Sequence, residues 1–418
     1  MELAGGAAPD ALTSRFGVRK LEVRDSRLML NGEPVSLGGA NRVADHPRYG
    51  SMENHAVIEQ DMPLMKSANL GLSRILHYPP SQALLDWCDE HGFLLIAEPG
   101  GWGLKNGNMD SEKLRATWKT QAKEMLEQSW NHPSVIGWSV GNEYESDTPS
   151  GVRWTRDMAA FVRALDDTRF ITFASLGGKI SSPVKPEENS FHYVDLLSVN
   201  IYGSGGLARA METLAKNWPG KPVIVTEFGW REDSSASEES RGREFRNAIS
   251  ILRRYPFVTG ASVWTFNDYR SRHPGTNSDG LRRWGMVTYA REPRPVYHVI
   301  REEFSPATLS GLRVEHKPQG FAATYTLHLT LEGRAVFPSR VLRDHSLVVT
   351  LRERGKAARR RIERPVPELK PGDRLTLAIP LPAFDAAASE TVQVEFLQPG
   401  GFVSLDRILP VRADQKQP

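Results

Sequence analysis

The stretch SVIGWSVGNEYES, residues 134–146, reads first as a strand and then, at its tip, as chemistry. Seven mostly apolar residues run without alternation, the pattern of a strand covered on both faces in a parallel sheet. Directly after them stand Gly141, Asn142 and Glu143. An ionised carboxylate beside apolar neighbours loses hydration, so Glu143 needs a purpose and a partner.

Other runs of the same kind lie on both sides of it. They are VSLGGA (35–40), GLSRIL (71–76), FLLIAEP (93–99), FITFAS (170–175), VDLLSVN (194–200), PVIVTEF (222–228) and TGASVWTF (259–266). Helix-like stretches separate them. In residues 55–69 Ile58, Met62 and Met65 share a face, and in 111–130 Leu114, Trp118, Ala122, Met125 and Ser129 do so. LGGKISSPVKPEENS (176–190) looks like loop, so the helix after strand five is expected to be degenerate. Eight strands alternating with helices predict a closed (β/α)8 barrel, a TIM barrel. A doubly wound sheet is the alternative, but no Gly-rich phosphate loop follows the first strand.

After Pro306 the texture changes to period-two alternation broken by Pro, Gly and Asp, which predicts a C-terminal all-β immunoglobulin-like sandwich. The expected organisation is therefore an N-terminal extension (1–15), a catalytic barrel (16–305), a β-sandwich (306–412) and a tail (413–418). The basic run RERGKAARRRIER (352–364) reads as a solvated strand face and turn.

Composition narrows the function. A net charge of +3 over 418 residues falls short of a nucleic-acid-binding face, so no nucleic-acid partner is expected. No apolar run of membrane-spanning length occurs, so no membrane partner is expected. The start, MELAGGAAPDALTS, lacks the basic and apolar regions of a signal peptide, which leaves the compartment open between cytoplasm and, after trimming, export. A single cysteine, Cys88, rules out an internal disulfide and reads as an inert core thiol. The oligomeric state is not legible.

In a barrel of this kind the functional groups gather where the strands end. Those ends carry Asn41, Arg42, Asp45 and His46 (strand one), Arg74, His77 and Tyr78 (two), and Glu98 and Trp102 (three). They carry Asn142 and Glu143 (four), Asn200 and Tyr202 (six), Glu227 (seven), and Trp264, Asn267 and Asp268 (eight). The partner of Glu143 is thus Glu227, in VIVTEFGW (223–230). Two carboxylates across a cleft are the minimum equipment of glycoside hydrolysis, one giving a proton to the leaving oxygen and the other attacking carbon or activating water. Arg74 and Tyr202, reaching Glu227, would favour its anion; Glu143, in the more apolar place, would hold its proton. Trp102, Trp230 and Trp264 offer flat faces to a sugar ring, whereas Trp118 sits at helix-packing spacing. Glu145 or Glu98 as the acid remains possible on spacing alone.

Six blocks carry a resemblance: residues 16–42, 61–80, 86–98, 131–143, 223–229 and 260–269. Over roughly residues 16–304 the chain resembles the catalytic barrel of glycoside hydrolase family 2, which holds β-galactosidases, β-glucuronidases and β-mannosidases. The resemblance implies Glu143 as acid/base, Asn142 bonding the sugar 2-hydroxyl, and Glu227 as nucleophile. It implies Arg74 and Tyr202 orienting Glu227, and Trp264 flooring the sugar site. It also places Asp45 and His77 against sugar hydroxyls, and Asn41 and Arg42 in shaping the rim. PGGFVSLD (399–406) fits the sandwich that follows the barrel in some members.

Departures from the family pattern bear on substrate. Val43 stands where a histidine is usual, and Gly71 where an asparagine is. AEPGGWG (97–103) lacks the magnesium ligands of large bacterial β-galactosidases, so neither metal nor cofactor is expected. GLRRWGM (280–286) replaces the Asn-x-Lys signature that reads the carboxylate in β-glucuronidases. The same loop offers Arg270, Arg272, His273, Arg282 and Arg283, and guanidinium groups suit carboxylate recognition. The expectation is a retaining exo-β-glycosidase of β-galactosidase type on a β-linked hexose. β-Glucuronidase-like specificity, an endo-acting mannanase or glucanase, and a non-catalytic carbohydrate-binding protein stand as alternatives.

Overall fold

A computed structural model describes residues 2–3, 10–11, 13–177, 180, 185–232, 237–319, 322–352, 360–382 and 390–411. Eight parallel strands close into a barrel in sequence order: Leu37–Asn41, Leu72–Arg74, Leu94–Ala97, Val135–Asn142, Phe170–Leu176, Leu197–Asn200, Val223–Phe228 and Val258–Trp264. The last pairs with the first, Trp264 opposite Asn41, which closes the ring. Nearly every residue in these strands is buried, which is why their sequences run apolar instead of alternating.

Helices cover the outside, several of them opened by the cap their sequences announce. Asn54, Ser81, Ser111, Thr148 and Ser237 each accept a hydrogen bond from the backbone N–H three residues on, satisfying an orphan donor of the first turn. The helix faces read from the sequence point inward: Ile58, Met62 and Met65 are buried, as are Trp118, Ala122, Met125 and Ser129, with Leu114 packed at the edge. After the fifth strand the described residues include two short 3-10 turns, Pro186–Glu188 and Ser190–Tyr193, and no α-helix before the sixth strand; residues 178–179 and 181–184 of the stretch expected to be loop lie outside the described residues.

A small antiparallel sheet, Leu21–Arg24, Arg27–Leu30 and Glu33–Val35, was not anticipated as an element. It plugs the end of the barrel where the strands begin. Leu28 enters a cluster with Leu37, Leu72, Leu94, Ile136, Phe170, Leu196 and Ile224, and Leu21, Leu30 and Val35 pack on it. Burying one such leucine contributes about 1.5–3 kcal/mol.

The C-terminal region is a sandwich of a three-stranded and a four-stranded antiparallel sheet around its own apolar core. Of the basic run at 352–364, the structure describes Arg352 and the strand Arg360–Pro365; the rest lies outside the described residues. The sandwich is fastened to the barrel through Asn69, which is 2% exposed. The Asn69 amide donates to the carbonyls of Arg301 (2.7 Å) and Ser404 (2.9 Å), and its oxygen accepts from Ser404 Oγ (2.7 Å) and Gln398 Nε2 (3.2 Å). Phe402 packs edge-on against Trp87 and His91 beside Cys88, which is fully buried and whose thiol burial pushes well up. Among the described residues no helix is long and apolar enough to cross a membrane.

Candidate active site

The fourth strand delivers Glu143 by a local backbone device. Gly141 adopts φ 145° and passes so close to Gly101 that a Cβ there would lie 2.8 Å from its carbonyl oxygen. Glu143 itself sits at φ 52°, a left-handed conformation uncommon for a residue with a side chain. Its N–H still donates to the Ala174 carbonyl of the neighbouring strand (2.8 Å). This turn sends Tyr144 into the core, hydrogen-bonded to Thr155 (2.6 Å), and leaves Glu143 facing a cavity at the C-terminal rim. The apolar run of residues 134–140 therefore ends in an acid because the strand ends at a cleft.

That cavity has a volume of about 400 Å³. Its lining includes Glu143, Glu227, Asn142, His77, Trp102, Tyr202 and Trp264. Glu227, at the end of the seventh strand, is 3% exposed. One oxygen is ion-paired to Arg74 Nη2, and the other accepts from the Tyr202 hydroxyl (2.6 Å). Desolvation and then the Glu227 charge hold the Tyr202 phenol well above its ordinary range, so it stays a donor, although the residue as a whole is 39% exposed. For Glu227, burial raises the carboxyl above its usual value, Arg74 pulls it back, the charge of Glu143 adds to the rise and the Tyr202 bond opposes it. Glu227 is thus the more buried of the pair and Glu143 the partly exposed one, where the sequence reading puts Glu143 in the more apolar site. The anion of Glu227 depends on Arg74 and Tyr202, not on solvent.

Amide side chains fix the rest of the acid's surroundings. Asn200 Nδ2 donates both to Glu143 Oε1 (2.9 Å) and to Asn142 Oδ1 (3.0 Å), and Thr226 Oγ1 donates to Asn200 Oδ1 (2.7 Å). With its oxygen so engaged, Asn142 has its NH2 left as a donor, and that NH2 forms no hydrogen bond to another described residue. Behind His77 lies Glu98, fully buried, accepting from His77 Nδ1 (2.9 Å) and Ser139 Oγ (2.5 Å) and paired with Arg74 (3.5 Å). Burial would raise the Glu98 carboxyl, but His77, Arg74 and Ser139 outweigh it and leave it lowered. Glu98 is therefore an ionised support for His77 and Arg74, unsuited to giving up a proton. Glu145, the other alternative acid, instead accepts from the Asn106 N–H (2.8 Å) and faces Lys105.

Some expected site residues lie elsewhere. Asn41 is fully buried and donates to the Thr226 carbonyl (2.7 Å), inside the barrel wall. Asp45 holds the loop after strand eight, accepting from Arg270 N (2.6 Å) and the Tyr289 hydroxyl (3.1 Å). His46 is buried against Gln60, Arg42 is tied to Glu53 and Asp61, and Trp230 packs edge-on against Phe245 instead of facing the cavity. The cavity also takes in Leu176, Tyr269 and Trp284, which were not singled out as site residues. Tyr269 and Trp284 flank the arginine-rich segment, and that adjacency was their one sequence signal.

A closed eight-stranded barrel bearing an acid pair in one cavity at its C-terminal rim has the layout of a carbohydrate-active barrel. The family model "Glycosyl hydrolases family 2, TIM barrel domain" matches residues 21–282, and the chain belongs to that family. A β-glucuronidase of Mus musculus is 28% identical over 317 residues, covering 71% of this chain and 48% of the relative. One of Paenibacillus borealis is 27% identical over 327 residues, covering 72% and 54%. Among solved structures, a family 2 β-galacturonidase from Eisenbergiella tayi bound to galacturonate superposes with TM-score 0.62 at 25% identity, covering 69% of this chain and 55% of that one. The β-D-glucuronidase of Dictyoglomus thermophilum gives 0.64 at 25%, covering 73% and 56%. The chain spans about half the length of the curated relatives it matches.

Proposed function

We propose that this chain is a retaining, exo-acting β-glycoside hydrolase that removes terminal β-linked uronic acid residues. The carrying observation is the shared cavity in which Glu143 and Glu227 meet, with Glu227 bound by Arg74 and Tyr202. A volume of about 400 Å³ lies at the small end of the range for small-ligand sites, roughly 300–1,000 Å³, and suits one ring and a leaving group better than a polysaccharide. The relatives and structures above carry the names glucuronidase and galacturonidase, which favours a uronide over the galactoside ranked first from sequence.

In the first step the Glu227 carboxylate attacks the anomeric carbon while the bond to the leaving oxygen breaks and Glu143 transfers its proton to that oxygen. In the second, water attacks the same carbon, Glu143 takes the water's proton, and the ester to Glu227 breaks. Arg74 and Tyr202 keep the nucleophile ionised and aimed, and Asn142 offers its NH2 to the 2-hydroxyl. A 2-deoxy-2-fluoro-β-glucuronide with an activated leaving group tests this directly. Peptide mass mapping should find the trapped sugar on Glu227, and a label on any other residue would remove the assignment.

A further inference from the structure

Arg282 lines the cavity and forms no ion pair with a carboxylate among the described residues. It sits on a two-stranded ribbon, Tyr269–Arg270 against Leu281–Arg282, with Tyr269 directly opposite. Its neighbours in the arginine-rich loop are otherwise placed. Arg283 is paired with Asp279 (2.5 Å), Arg270 stacks on Tyr289, and Arg272 is exposed. Arg74, the other cation at the site, is committed to Glu227 and Glu98. Arg282 lines the cavity with both glutamates and forms no ion pair with any described carboxylate. Its Nε is buried with no hydrogen-bond partner among the described residues, and the group standing beside the guanidinium is the Tyr269 phenol, a neutral one.

The guanidinium lies 5.8 Å from the centre of the Tyr269 ring and 5.7 Å from that of Trp284. Contact with aromatic rings steadies the planar group and removes part of its hydration while leaving its in-plane N–H donors able to bond. A partly buried fork of donors with no carboxylate partner among the described residues is complementary to a carboxylate bound by two parallel hydrogen bonds. A neutral hydroxymethyl group would leave that charge uncompensated.

We infer that Arg282 is the specificity residue that binds the carboxylate of the substrate sugar, replacing the Asn-x-Lys signature this chain lacks. The inference rests on the reading of the site as a β-uronidase and assigns the recognition to one side chain. Tyr269 and Trp284 act as positioning residues for the guanidinium.

The test compares kcat/KM for nitrophenyl β-glucuronide and β-galacturonide with the carboxylate-free β-glucoside and β-galactoside, using wild type, Arg282→Gln and Arg282→Lys. Wild type should favour a uronide over its neutral counterpart. Arg282→Gln should lower that selectivity ratio by about tenfold to a hundredfold, the range for losing a charged hydrogen bond, and Arg282→Lys should fall between. Should Arg282→Gln fail to fold, the lysine variant carries the comparison, because it keeps the charge and loses the fork. A wild type that prefers a uronide while both variants lose equally on charged and neutral sugars overturns the role of Arg282 and leaves the uronidase reading standing. A wild type that turns over neither uronide overturns both.

Discussion

Where the barrel strands begin, Leu28, Leu72, Ile136 and Ile224 close the lumen with hydrocarbon; where they finish, Arg74, Glu98, Asn142, Asn200 and Glu227 fill it with charge and amide. Apart from Leu28, which comes from the antiparallel plug, the same strands supply both ends. At the first, any well-fitting aliphatic group serves, because apolar burial has no direction. At the second, each polar group is held by named partners and Glu143 sits in a backbone conformation that most residues avoid. One end packs hydrocarbon and the other holds the groups proposed to carry the reaction, and substitutions should separate them.

The widest break is expected from Glu227→Gln. Activity on a nitrophenyl β-glycoside should fall by roughly three orders of magnitude or more, as for loss of a nucleophile, while circular dichroism shows the fold retained. Leu28→Ala, at the plugged end, should do the opposite: denaturant unfolding should show a loss of about 2–5 kcal/mol, with kcat/KM per folded molecule unchanged below the transition. Equal kinetic damage from the two would erase the distinction between the ends.

Tyr202→Phe should act more gently and in a direction that can be checked. Its hydroxyl lowers the Glu227 carboxyl, which burial has already raised, so removing it raises that carboxyl further. Less of the nucleophile is then ionised at a given low pH. The acidic limb of the kcat/KM profile should therefore move to higher pH, and the rate should fall by about tenfold to a hundredfold. An acidic limb displaced to lower pH would contradict the charge assignment. Glu145→Gln should matter least. Its carboxylate is engaged outside the cavity, so kcat/KM is expected within about twofold of wild type.

Much of this contrast is legible in the sequence. Strands covered on both faces must be apolar throughout, so runs such as residues 134–140 declare themselves, and an acid at such a tip stands out. That located Glu143 and Glu227, with Arg74, His77 and Tyr202 around them. Residues whose placement depends on how a loop turns were harder to read. Trp230 follows the same strand as Glu227 yet turns toward Phe245, and Asn41 points into the wall to meet Thr226. Tyr269 and Trp284 come to the cavity through the ribbon after the eighth strand, a pairing that no local pattern announces. The antiparallel plug escaped notice because its strands are only three or four residues long, too short for a periodicity to show.

The Asn69 bracket between barrel and sandwich has a thermal consequence. Peeling the two halves apart would abandon an enclosed amide whose partners all lie across the seam or at its edge, so neither half gains by letting go first. Heating should therefore melt barrel and sandwich together in one calorimetric peak, and an Asn69→Ala protein should split that peak into two.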